Sequence, residues 1–211
     1  MRSLVLDALP LFSTFLIYLP AVFAPSVFHP HGSQVCAEFH LCASWSTPWG
    51  IITANFVWDG YLNNLAPQFA YFVIIFICCA TLPRIGNYRK KAYVRSALLI
   101  WFSSLLSISV YVVVSESKGG ETYGYSAVGY ATAGTATGLA LLFALRELLA
   151  KQKNRGFGFL FLFIVCLAPL FVLGPRIFFG ISYKTNYFVH IYSFLLSLFG
   201  SYYISKDLRL K

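Results

Sequence analysis

Gly124-Tyr-Ser-Ala-Val-Gly-Tyr-Ala-Thr-Ala-Gly-Thr-Ala-Thr-Gly138 opens a segment that carries no charge before Arg146. On a helix, Ser126, Tyr130, Gly134 and Gly138 recur at every fourth residue and share one face. In lipid, apolar surface gains little by leaving hydrocarbon for another helix. Small residues at this spacing instead let two backbones approach and pack. The segment therefore reads as a membrane-crossing helix shaped to receive a partner.

The rest of the chain agrees. It is 58% hydrophobic and only 11% charged, with a mean hydropathy of +0.70. That balance excludes an ordinary soluble domain, in which about a quarter of residues are charged. The 211 residues have room for about six spans of ~20 residues with short connections. A single all-α membrane domain over 1–211 is expected, with apolar stretches near 4–24, 62–82, 96–114, 123–145, 157–174 and 187–205. The first stretch contains Asp7, Pro10 and Pro20 behind a lone Arg2, and reads as a retained span rather than a cleaved signal.

The formal charge of +9 is unevenly placed. Basic residues gather at alternate connections: Arg2; Arg84, Arg89, Lys90, Lys91 and Arg95; Arg146, Lys151, Lys153 and Arg155; Lys206, Arg209 and Lys211. The opposite connections hold Lys118, Arg176 and Lys184. The positive-inside rule then puts both termini and the basic connections in the cytoplasm of a multi-pass protein, with the cell membrane as its expected location. The charge is a topology signal, and no nucleic-acid partner is expected.

The longest connection, 25–60, lies outside by this reading. It holds His29, His31, Cys36, His40 and Cys42, but their spacing matches no compact zinc pattern, so no metal is expected. Cys36 and Cys42 would face an oxidising exterior able to join them, whereas Cys78, Cys79 and Cys166 fall within spans. The second half of the loop is aromatic, with Trp45, Trp49, Phe56, Trp58 and Tyr61. It is expected to lie in the outer interface as short amphipathic pieces.

Ser126 has a counterpart at matching depth. His190 lies about one turn into the last span and leads a second polar and small stripe, His190, Ser193, Ser197 and Gly200. Packed on the first stripe, it would bring the imidazole toward the Ser126 hydroxyl. A serine hydroxyl becomes nucleophilic when a base within ~3 Å takes its proton. No carboxylate lies mid-span beside the pair, so a dyad is the form this chemistry takes. Tyr130, one turn below Ser126, is placed to stack on the imidazole. On spacing alone, packing explains the two stripes as well as catalysis does, and an intramembrane histidine also suits a proton relay.

Together these residues resemble the rhomboid family of intramembrane serine proteases. Gly124-Tyr-Ser126-Ala, with Tyr130 and Gly134 downstream, resembles the family's Gly-x-Ser-Gly segment. His190-Ile-Tyr-Ser193-Phe-Leu-Leu-Ser197 resembles its last-helix histidine with two small residues, and Trp49-Gly-Ile-Ile-Thr53-Ala-Asn-Phe56 resembles its tryptophan–arginine loop. The order of elements, with the serine on the fourth span and the histidine on the sixth, is also similar. The resemblance implies a six-span rhomboid-like bundle that cuts transmembrane segments of other proteins near the outer leaflet, without a cofactor. Ser126 would be the nucleophile and His190 the general base and acid. Gly124, Tyr130 and Gly134 would support them.

The sequence departs from the family at Ala127, at Gly50 and at the start of the second span. Gly50, in place of the loop arginine, removes an anchoring contact. The oxyanion positions fall on Asn63 and Pro67. Asn63, together with the Ser126 backbone N–H, is the expected oxyanion donor; Asn64 and Gln68 are alternatives, and Pro67 has no donor. Two other functions stay open: a catalytically inactive rhomboid-like protein that binds membrane-protein clients, and a small transporter. The expected partners are transmembrane substrates and membrane lipid, and the oligomeric state is open.

Overall fold

The computed structural model describes residues 2–18, 40–44, 46–56, 65–83, 87–114, 126–178 and 187–206, and only the backbone at 2, 3, 17, 18, 65–67, 126, 168–178 and 206. Helix α1 is Arg2–Phe12, continued by a 3-10 stretch, Ser13–Tyr18. A short α2, Gly50–Thr53, runs into a 3-10 turn, Ala54–Phe56. The long helices are α3 Leu65–Ala80, α4 Tyr88–Val114, α5 Ser126–Leu149, α6 Lys153–Phe178 and α7 Tyr187–Lys206. The described chain is all-helical. Three of its helices are long and apolar enough to cross a membrane: Tyr88–Val114, Ala127–Leu149 and Tyr187–Ser205.

Helix α5 is the centre. Every residue from 131 to 140 is buried, and α3, α4, α6 and α7 all pack against it. Its small side chains make this possible, because bulky ones would hold the neighbours off. The buried threonines do not need partners from elsewhere. Thr132, Thr135 and Thr137 donate to the carbonyls of Val128, Ala131 and Ala133 at 2.8, 2.9 and 2.7 Å, closing the hydroxyl within the helix. The outer helices show the reverse pattern. Leu98, Phe102, Phe161, Phe199 and Tyr203 are among the large side chains left exposed, an arrangement suited to hydrocarbon and not to water.

Chain breaks and caps follow local chemistry. Pro10 takes one amide out of the α1 ladder, and three residues after it the helix tightens into its 3-10 form. At the far end of α5, Lys151 has φ 61°. There the Gln152 N–H bonds to the Glu147 carbonyl and the Lys151 N–H to the Leu148 carbonyl, at 2.8 and 3.0 Å. This is the Schellman arrangement that usually employs glycine.

Candidate active site

The loop before α3 forms a small hydrogen-bonded platform. The Trp49 indole N–H donates to the His40 carbonyl at 2.9 Å, and Thr47 Oγ1 to the Cys42 carbonyl at 2.7 Å. Trp49 and Ile52 stay exposed while Ala43, Ala54 and Asn55 are buried, so the piece is amphipathic as expected. Asn55 ties it to α4: its Oδ1 accepts from Ser104 Oγ at 2.5 Å, and its Nδ2 donates to the Ile51 carbonyl at 3.1 Å. Sequence reasoning gave Asn55 no role, because its partner lies 49 positions away. Cys42 is disulfide-bonded; Cys36, its expected partner, lies outside the described residues.

Gly50 is not simply a lost anchor. A Cβ at that position would collide with the backbone carbonyl of Cys42 and with Ala43 Cα. The first turn of α2 touches this strand of chain directly, and only glycine fits. Gly50→Ala is therefore expected to lower stability by about 1–3 kcal/mol. The drop would be read as a fall in Tm, together with earlier proteolysis of the loop.

Ser126 is the first residue of α5 and His190 the fourth of α7. Their immediate neighbours Ala127 and Val189 share one buried cluster with Ala43, Ala54, Ile108 and Val112. The two helix starts thus lie side by side beneath the loop platform. His190 is only 7% exposed. Its ring stacks on Tyr130 with centroids 4.4 Å apart and planes 12° from parallel. Tyr130 is one turn, roughly 6 Å of rise, below Ser126. The Ser126 side chain, Gly124, Asn63 and Asn64 lie outside the described residues.

The two stripes interlock, with two corrections. A Cβ at Gly134 would strike the Phe194 carbonyl and Ser197 Oγ; one at Gly138 would stand 2.6 Å from Ser201 Oγ. Gly200, expected on this seam, instead faces Leu99 of α4, and Ser193 hydrogen-bonds to Ser107 of α4. Helical geometry explains the change. At about 100° per residue, Ser197 and Ser201 lie within about 20° of His190, while Ser193 and Gly200 are turned away by roughly 60–80°.

Gln68 is the oxyanion candidate that the fold brings to α5. It is buried, and its Oε1 lies 3.6 Å from where a Cβ of Gly129 would stand. A Cβ at 129 would make only ordinary contact with this amide, which lies against α5 within one turn of Ser126. Pro67 occupies the first turn of α3, where a missing N–H disrupts nothing. The carboxylate of Glu147, at the other end of α5, is roughly 30 Å from Ser126 along the helix and pairs with Arg146 at 2.6 Å.

Comparison with protein-family models, with characterised proteins and with solved structures finds no match to this chain.

Proposed function

We propose that this chain is a six-span integral membrane protein of rhomboid type, with both termini cytoplasmic, and that it is an intramembrane serine endopeptidase. The observation that carries the reading is the Tyr130–His190 stack, which holds an imidazole beside the helix turn that begins at Ser126. In the reaction, His190 takes the Ser126 proton as Oγ attacks the scissile carbonyl of a transmembrane substrate. The oxyanion receives the Ser126 backbone N–H, one of the donors left over at the positive end of α5, and an amide N–H from Asn63 or from Gln68 Nε2. His190 then protonates the departing amine, and water entering beneath the loop platform hydrolyses the acyl-enzyme by the same steps. The Cys42 disulfide favours an oxidising compartment for the platform, which supports a dyad near the outer leaflet.

Pro67 favours a second reading, an inactive protein of this architecture that binds membrane-protein clients, since it removes a donor from the expected oxyanion pair. The two readings part on one measurement. Purified protein in liposomes is expected to cleave a model transmembrane substrate and to be labelled by a serine-directed fluorophosphonate. If both are absent, the client-binding reading replaces the protease. If cleavage persists in Ser126→Ala, the assignment of the nucleophile is wrong.

Gln68 has its own test. Losing one oxyanion donor lowers turnover by about 10²–10³, so Gln68→Ala is expected to reduce kcat by that factor with little change in KM. Fluorophosphonate labelling would slow in parallel, while a merely structural Gln68 would lower Tm and leave kcat of the folded fraction unchanged.

A further inference from the structure

At the opposite end of the bundle from Ser126 and His190, α3, α5 and α6 border a crevice of about 540 Å³. Helices α3 and α6 both pack on α5 but meet each other only slightly, so the crevice opens sideways between them. Its polar end is made by Arg146, Glu147 and Arg155, and its apolar wall by Ile77, Phe159 and Leu162. Arg155 and Leu162 are separated by roughly 10 Å along α6. The site is thus charged at one end and apolar along its length.

The net charge is positive. Glu147 is neutralised by Arg146 at 2.6 Å. A guanidinium carries five donors, so this pairing does not exhaust Arg146, which also lies over the Phe143 ring at 5.0 Å. Arg155 adds a second cation, and Lys151 and Lys153 stand exposed on the same connection. A free anion would engage only the polar end, and a zwitterionic lipid would bring no net charge to it. Basic pockets between spanning helices at the cytoplasmic side suit anionic lipid headgroups.

The apolar part also has room. Gly158 borders the crevice, and a Cβ there would meet nothing within 4 Å. Bare backbone is therefore offered where a chain could lie against α6. We propose that this crevice binds an anionic glycerophospholipid of the cytoplasmic leaflet. Its phosphate sits against Arg155 and Arg146, and the first part of an acyl chain lies over Gly158 between Ile77 and Leu162. The proposal rests on the multi-span membrane reading and is independent of the dyad.

The test uses the full chain in neutral detergent, with native mass spectrometry and thermal shift on addition of phosphatidylserine, phosphatidylcholine or inorganic phosphate. Phosphatidylserine alone is expected to stay bound and raise Tm. Arg155→Gln is expected to weaken its affinity about fivefold to tenfold. Gly158→Leu fills open space without changing charge, and is expected to weaken it comparably. Lys90→Gln, on another basic connection, is expected to change nothing. The proposal is overturned by an equal shift with phosphatidylcholine or with inorganic phosphate. It is equally overturned if Lys90→Gln weakens binding as much as Arg155→Gln, or if Gly158→Leu leaves it intact. Ser126→Ala is expected to retain phosphatidylserine binding, so failure of the protease reading and failure of this one are separately visible.

Discussion

Ser126→Ala and His190→Ala are each expected to abolish the proposed cleavage, with turnover falling by about 10⁴–10⁶. The size follows from the division of labour. Without the hydroxyl no acyl-enzyme forms, and without the imidazole the hydroxyl keeps its proton at neutral pH. The two losses should not add: the double variant is expected to match either single one, because both residues serve the same step. Tyr130 separates position from chemistry. Tyr130→Phe keeps the ring that stacks at 4.4 Å on His190 and should retain most activity. Tyr130→Ala removes the surface that orients the imidazole and should lower kcat by about 10–100-fold, a loss typical of a misplaced catalytic group. Equal activity in Tyr130→Ala and wild type would show that the stack does not position the base.

The sequence reading found the long helices because apolar length is a strong signal, but it drew their ends at the edge of hydrophobicity. Helix formation has no such edge. The stretch expected at 96–114 is helical from Tyr88 through Val114, since Arg89, Lys90, Lys91 and Arg95 are good helix formers that simply stand outside hydrocarbon. The stretch at 157–174 likewise extends to Lys153–Phe178. The first stretch differs in kind, as Pro10 is followed by 3-10 geometry. Around the candidate site, the Tyr130–His190 pairing was legible because spacing along two helices fixes both rings to one seam. The packing role of Gly50 was not, and Gln68 stood only as one of two alternatives that no spacing separates. A glycine's need for a bare Cα depends on which distant backbone touches it, here that of Cys42 and Ala43. The reach of a glutamine depends on which helix it packs against, here α5 near Gly129. Ser193 and Gly200 were misplaced by reading spacings of three and four as equivalent, though they diverge by about 100° around the helix.

Gly134→Ala is expected to destabilise the protein by about 2–4 kcal/mol, at the upper end for one added methyl group. In most helical positions this substitution has the opposite sign, since alanine is favoured over glycine by about 1 kcal/mol. At Gly134 the new Cβ would strike the Phe194 carbonyl as well as Ser197 Oγ. A side-chain hydroxyl can rotate aside; a carbonyl within a helix cannot move without its helix. Helix α7 must therefore retreat from α5, and His190, on the same face one turn before Phe194, retreats with it. Gly158→Ala is the matched control: its Cβ meets nothing within 4 Å, so Tm should hold or rise. Adding Ser197→Ala to Gly134→Ala should recover little, because the carbonyl remains. A full recovery would place the limit in the side chain and not in the backbone approach of α5 and α7. The loss of Tm in Gly134→Ala should be accompanied by a loss of the proposed cleavage in the protein that remains folded, because the seam that holds the bundle together would also set the distance between the proposed base and nucleophile.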